Sequence, residues 1–178
     1  MQLYKLTDEH AQTYGGCQWG ENVTHTASGE GELCGPGWIH AYTDPLLAVL
    51  LNPIHADFMN PRLWECEGEV GKTDHGLKVG CTRLTTVREV AAPAVTTEQR
   101  VRFAILCAME VCRDVEFVRW AETWLSNADR TAARAAAAEA EAAWAAAWAA
   151  RAARAAWAAD IDLIALAHKA IETPTLRE

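Results

Sequence analysis

Apolar positions along this chain change period once, near Pro93. Before it they come as short alternating or β-branched runs separated by Gly-rich and polar stretches. After it they recur at three- and four-residue spacing, the mark of amphipathic helices. In the first part Gln2 to Leu6 reads as a strand, Thr13 to Gly37 as a long glycine-rich polar connection with scattered anchors such as Trp19, and Trp38 to Tyr42 as a second strand. Asp44-Pro45 then has the form of a capped helix start, an aspartate followed by a proline in the first turn, and Leu46, Leu47, Val49, Leu50 and Leu51 follow until Pro53 disturbs the pattern. Arg62 to Val70 alternates Leu63, Trp64 and Cys66 with charges, and Leu77 to Val90 is rich in Val and Thr, so both read as strands.

Beyond Pro93, Thr96 and Gln99 have capping-box spacing, and Val101, Ile105, Ala108, Met109 and Cys112 follow on one helical face. A second helix is expected from about Val115 to Leu125, with Phe117, Trp120, Ala121, Trp124 and Leu125 on one side and Ser126-Asn127 as its stop. In the run from Ala132 to Ala159, twenty of the 28 positions are alanine, the best intrinsic helix former. This predicts one helix of about 40 Å, capped by Asp129. On its wheel Trp144, Trp148 and Arg151 fall within about 60° of one another, whereas Trp157 lies about 180° from Trp148 and is continued by Ile161, Ile164 and Ile171. Asp160 and Asp162 leave room there for a break or a fresh cap. The expected architecture is therefore α+β: a small mixed β-sheet domain over residues 1–93, then an all-α helical segment over 94–178 carrying the long alanine-rich helix.

Charge narrows the partners. The net charge is −8; residues 1–95 hold six basic against twelve acidic side chains and residues 96–178 hold ten against twelve. Neither half is a basic surface of the kind that seeks nucleic acid. No N-terminal segment has the charge and apolar core of a leader, and the alanine run is too charged for a membrane span, so a cytoplasmic protein without membrane or nucleic-acid partners is expected. In that compartment Cys17, Cys34, Cys66, Cys81, Cys107 and Cys112 are expected as free thiols.

Candidate chemistry is sparse. Cys17, His25, Cys34 and His40 share the glycine-rich stretch and are of types that ligate zinc, but their spacing matches no finger or ribbon, and separately buried side chains are the expected outcome. Cys34 and His40 are also the residue types of a thiol and its base. There is no nucleophile elbow and no phosphate loop, and no cofactor is expected. The segment Gly37-Trp38-Ile39-His40-Ala41-Tyr42-Thr43 carries the most weight, because strand alternation points Trp38, His40 and Tyr42 to one face. With Thr43 beside them they form either the lining of a small-molecule site or an aromatic core cluster. On the C-terminal side Trp144, Trp148 and Arg151 are the candidate interaction face, either covered within the chain or used by a second copy or a host protein.

The order Leu3-Tyr4-Lys5, a Gly-rich loop, Gly37-Trp38-Ile39-His40, Thr43-Asp44-Pro45 and then Arg62 to Val70 resembles an uncharacterised domain family frequent in bacteriophage and bacterial proteins. Members of that family often continue with a helix like Gln99 to Ala108 and end in Ala/Trp/Arg-rich runs like 132–159. The resemblance implies a phage- or prophage-type accessory protein acting by binding. A more distant similarity, carried by the Gly-aromatic-Ile-His segment, reaches ADP-ribosyltransferase-like folds and implies an NAD- or nucleotide-handling face at Trp38, His40 and Tyr42. The first strand, Tyr4-Lys5-Leu6, departs from that pattern in offering neither His nor Arg, and no single carboxylate among Glu65, Glu67, Glu69 and Glu89 is assigned. Self-association through the Ala/Trp helix is the third expectation.

Overall fold

The computed structural model describes residues 1–126 and 161–172. It divides into two compact units, Met1–Ala94 and Val95–Glu178. The first unit runs through β1 (Gln2–Thr7), β2 (Gln12–Thr13), β3 (Cys17–Gln18), β4 (Val23–Thr26), β5 (Ile39–Ala41), α1 (Pro45–His55), β6 (Arg62–Thr73) and β7 (Val79–Val90). The α+β expectation thus holds for the described chain. Its sheet is antiparallel in every pairing recorded, rather than mixed in strand direction.

Strand β6 lies between β1 and β7, and the far edge of β7 carries β4 opposite Arg83–Thr86 and β5 opposite Val79–Cys81. Immediately after β5, Tyr42 exchanges both backbone hydrogen bonds with Tyr4 of β1, each 2.8 Å long. The sheet therefore returns to its first strand, and the ring β1-β6-β7-β5-β1 is closed. Closure needs strong local curvature, and the long β6–β7 pair supplies it through three register shifts, at Glu65/Cys66, Glu69/Val70 and Val70/Lys72. The two strands are joined by a tight turn in which Leu77 N–H donates to the Asp74 carbonyl at 2.7 Å, with His75 and Gly76 both at positive φ, as hairpin twist favours.

Inside the ring, Leu3, Ala41, Trp64, Cys66, Val79, Cys81 and Leu84 form one apolar cluster, which Ala11 and Trp19 complete from the β2–β3 segment. The stretch Thr13 to Gly37, expected as a long glycine-rich polar connection, contains structure: β3 and the sheet strand β4 lie within it, and β2 ends at its first residue. Their two- and four-residue lengths leave no readable alternation, which is why the pattern missed them. Helix α1 packs on β1. Asp44 Oδ1 accepts from the backbone N–H groups of Leu46 and Leu47, both at 2.9 Å, and the buried run Leu46 to Asn52 forms the contact. Pro53 does not end the helix, which continues to His55.

The second unit contains α2 (Thr97–Val111), α3 (Val115–Leu125) and α4 (Leu163–Ile171) among its described residues. Thr96 and Gln99 form the expected capping box. Asp162 starts α4 by accepting from Ala165 N–H at 2.9 Å, so the chain takes the fresh cap there. Helix α2 is buried over the consecutive run Phe103 to Ala108 rather than along one stripe; Val101, Met109 and Cys112 of the expected face are only partly covered. It packs against α4, whose Leu163, Ala167 and Ala170 are buried. The alanine run 132–159, with Trp144, Trp148, Arg151 and Trp157, lies outside the described residues.

Candidate functional site

Strand alternation in β5 decides where the expected ligand-binding residues go. Ala41, with Ile39 against it, belongs to the apolar cluster inside the ring, so Trp38, His40 and Tyr42 turn to the outer face, together, as their spacing predicts. That face is partly covered: Tyr42 is buried, and Trp38 and His40 are half-buried. The loop before β5 folds back on it, and glycines make the space: a Cβ on Gly71 would stand 2.7 Å from Cζ3 of the Trp38 ring, and one on Gly80 3.0 Å from its Cε3. Trp38 Nε1 donates to the Gly31 carbonyl at 3.1 Å, and Lys72 Nζ donates to the same oxygen at 3.1 Å.

His40 Nε2 donates to the Leu33 carbonyl, which fixes its tautomer while the ring is neutral. Burial is the main cause that lowers its pKa; the Leu33 bond opposes this, and the positive charges of Lys78 and Lys5 add to the lowering. Tyr42 is buried, with its hydroxyl 2.9 Å from Nδ1 of His55 in the last turn of α1 and the two rings stacked at 5.8 Å between centroids. Burial raises the Tyr42 hydroxyl and pushes His55 down to about 4, a lowering to which Lys78 and His40 also contribute. Thr43 is exposed at the edge of this face. Of the four expected residues, three are thus committed to internal partners. The interior apolar cluster contains none of these three residues.

Cys17, His25, Cys34 and His40 do not converge. Cys17 packs against the interior cluster, and His25 meets the edge of Trp19 at 4.5 Å and donates from Nε2 to the Gln18 carbonyl at 2.8 Å. Cys34 is exposed and accepts from Lys78 Nζ at 3.2 Å. Among the described residues no group of three or more His, Cys, Asp or Glu side chains is placed to hold a metal ion. All six cysteines are free.

Two lysines that the sequence reading passed over carry much of the electrostatics. Lys5 follows Leu3 at strand spacing and so points into the ring, 7% exposed. Its ammonium donates to the His40 carbonyl at 2.9 Å and lies 4.7 Å from the centroid of the Trp19 ring. Burial lowers Lys5 to about 8, opposed by the Cys66, Cys17 and Cys81 thiols around it. The same burial pushes Cys66 up to about 12 and Cys81 up to about 11. Lys78, 9% exposed, stands just before β7 on the outer face. The signal for Lys5 was available, since an inward Leu3 and Thr7 on either side place it inward too. For Lys78 no local signal existed, because Cys34 reaches it across 44 residues.

A different surface is concave. Met1, Gln2, Glu65, Glu67, Glu69, Arg83, Thr85 and Val87 line an open groove of about 610 Å³ on β1, β6 and β7. Arg88 pairs with Glu65, and Arg83 stands 3.9 Å from Glu69. Glu67, exposed, sits between Gln2 of β1 and Thr85 of β7 in the pairing register. No protein-family model, no curated protein and no solved structure matches the chain.

Proposed function

We propose that the protein acts by binding rather than by catalysis, as an accessory protein of the phage or prophage type that its motif order resembles. One observation carries this: the side chains with the most chemistry on the face first expected to take a ligand are spent on internal bonds, His40 on Leu33, Tyr42 on His55 and Trp38 on Gly31. The open groove on β1, β6 and β7 instead offers three carboxylates, of which Glu65 and Glu69 face Arg88 and Arg83 while Glu67 stands exposed between them. In a chain of net charge −8 this favours a basic partner, such as an arginine- or lysine-rich protein segment.

A fluorescein-labelled oligo-arginine peptide tests the reading by anisotropy. Binding that weakens steeply with salt and falls about tenfold in Glu67→Lys supports it, since the substitution reverses the central charge of the groove. Equal affinity in Glu67→Lys removes the groove as the binding surface. The nucleotide-handling reading makes an opposite forecast: NAD or another nucleotide would raise the melting temperature, and His40→Ala would abolish the shift. For the self-association reading, light scattering on the wild type and on Trp144→Ala/Trp148→Ala decides, and a monomer in both excludes it.

A further inference from the structure

Cys34 and Lys78 form a pair that none of these readings uses. The sulfur is exposed, on the loop that folds over β5. The ammonium that reaches it belongs to a side chain nine-tenths buried, and the hydrogen bond recorded for that ammonium goes to Sγ, at 3.2 Å. Buried cations ordinarily end on a carboxylate or on carbonyl oxygens, as Lys5 does on His40. Aiming one at a solvent-facing thiol builds the electropositive, accessible surrounding in which cysteines react.

The neighbours sharpen this. His40 and His55, the other basic groups near Lys78, are both held toward the neutral form by burial, and Asp74 acts on His40 from the adjoining hairpin turn. Lys78 is the basic side chain that hydrogen-bonds to the sulfur. The contrast lies within the same chain, where burial pushes Cys66 and Cys107 up to about 12 and Cys81 to about 11. Three of the six thiols are thereby kept protonated and covered.

We propose that Cys34 is a thiol-modification site, with Lys78 as its positioning cation, that takes low-molecular-weight disulfides. The thiolate sulfur attacks one sulfur of RS–SR; a new Sγ–S bond forms, the RS–SR bond breaks, and its electron pair leaves on RS⁻, which takes up the proton Cys34 gave up. The net change is one thiol and one disulfide into a mixed disulfide and RSH.

The test uses the full folded chain and a chromogenic aromatic disulfide, with the modified residue located by peptide mass. Cys34 is expected to react first, and about tenfold faster in the folded chain than in denaturing urea, because folding brings Lys78 to it. Lys78→Met should remove that advantage, and Lys78→Arg should retain it. The proposal is overturned if Cys17 or Cys112 reacts first, if Cys34 is no faster folded than unfolded, or if a Lys78→Met protein with an unchanged circular dichroism spectrum keeps the wild-type rate. Should Lys78→Met fail to fold, the folded-to-unfolded ratio of the wild type decides alone.

Discussion

Lys5 is a lysine buried among the side chains of the ring interior. Its ammonium gains a hydrogen bond to His40 and the face of Trp19, yet burial still lowers it to about 8, so the charged form is a net cost to the fold. Because the unfolded lysine holds its proton to higher pH, the unfolded state binds more protons between about pH 8 and 10.5, and this residue's contribution to stability rises with pH across that window. Lys5→Met should therefore stabilise the protein at pH 7 by about 1–2 kcal/mol, the lost hydrogen bond offsetting part of the gain. The advantage should shrink as pH approaches 10. Urea unfolding of both proteins across that range measures the difference directly. His55 works in the acid direction. Its pKa, lowered to about 4, lies below the ordinary 6.5, so the unfolded state binds more protons between these values, and stability is lost as pH falls through that window. In His55→Gln the slope of stability against pH from 6.5 to 4.5 should be visibly shallower, with His40 and, toward the acid end, Glu89 contributing to what remains.

At the scale of elements, the glycines of β6 show how the outer face is made. Gly71→Ala would bring a methyl group within 2.7 Å of the rigid Trp38 ring, so either the indole or the strand must move. A loss of about 1–3 kcal/mol is expected. Gly76→Ala meets nothing within 4 Å but forces a side chain onto φ +85, so its cost, about 1 kcal/mol, comes from backbone strain alone. Comparing their unfolding midpoints separates crowding from conformation. Asp44→Ala removes the acceptor of two α1 amides and should cost about 1 kcal/mol. That helix was legible because Asp44-Pro45 is a local signal, and so were the Thr96–Gln99 box and the long strands β6 and β7. The shared face of Trp38, His40 and Tyr42 was legible from alternation. What covers it was not, because Leu33 and His55 reach that face through the paths of a loop and a helix that no local pattern specifies.

For the whole molecule, the distinction is between pairings that neighbours specify and pairings that the ring specifies. The β6–β7 hairpin is local and could be read. The Tyr4–Tyr42 bridge spans 38 residues and consists of a single residue pair, too little for any sequence period to announce, yet it turns an open sheet into a closed one. Closure has a consequence for autonomy. Every strand of the ring, helix α1 and the complete interior cluster belong to Met1–Ala94. A chain of that length can bury roughly 60–65% of its unfolded surface, enough for a marginal domain. Residues 1–94 expressed alone should therefore unfold cooperatively in urea, and amide exchange should be slowest in β6 and β7, the two long strands paired along both edges. A non-cooperative transition would mean that the ring, although complete in its pairings, lacks the burial to hold them without residues 95–178. Exchange that is instead fastest at Tyr4 and Tyr42 within an otherwise protected fragment would locate the weakness in the single bridge, because an isolated antiparallel pair has no flanking ladder to slow its opening.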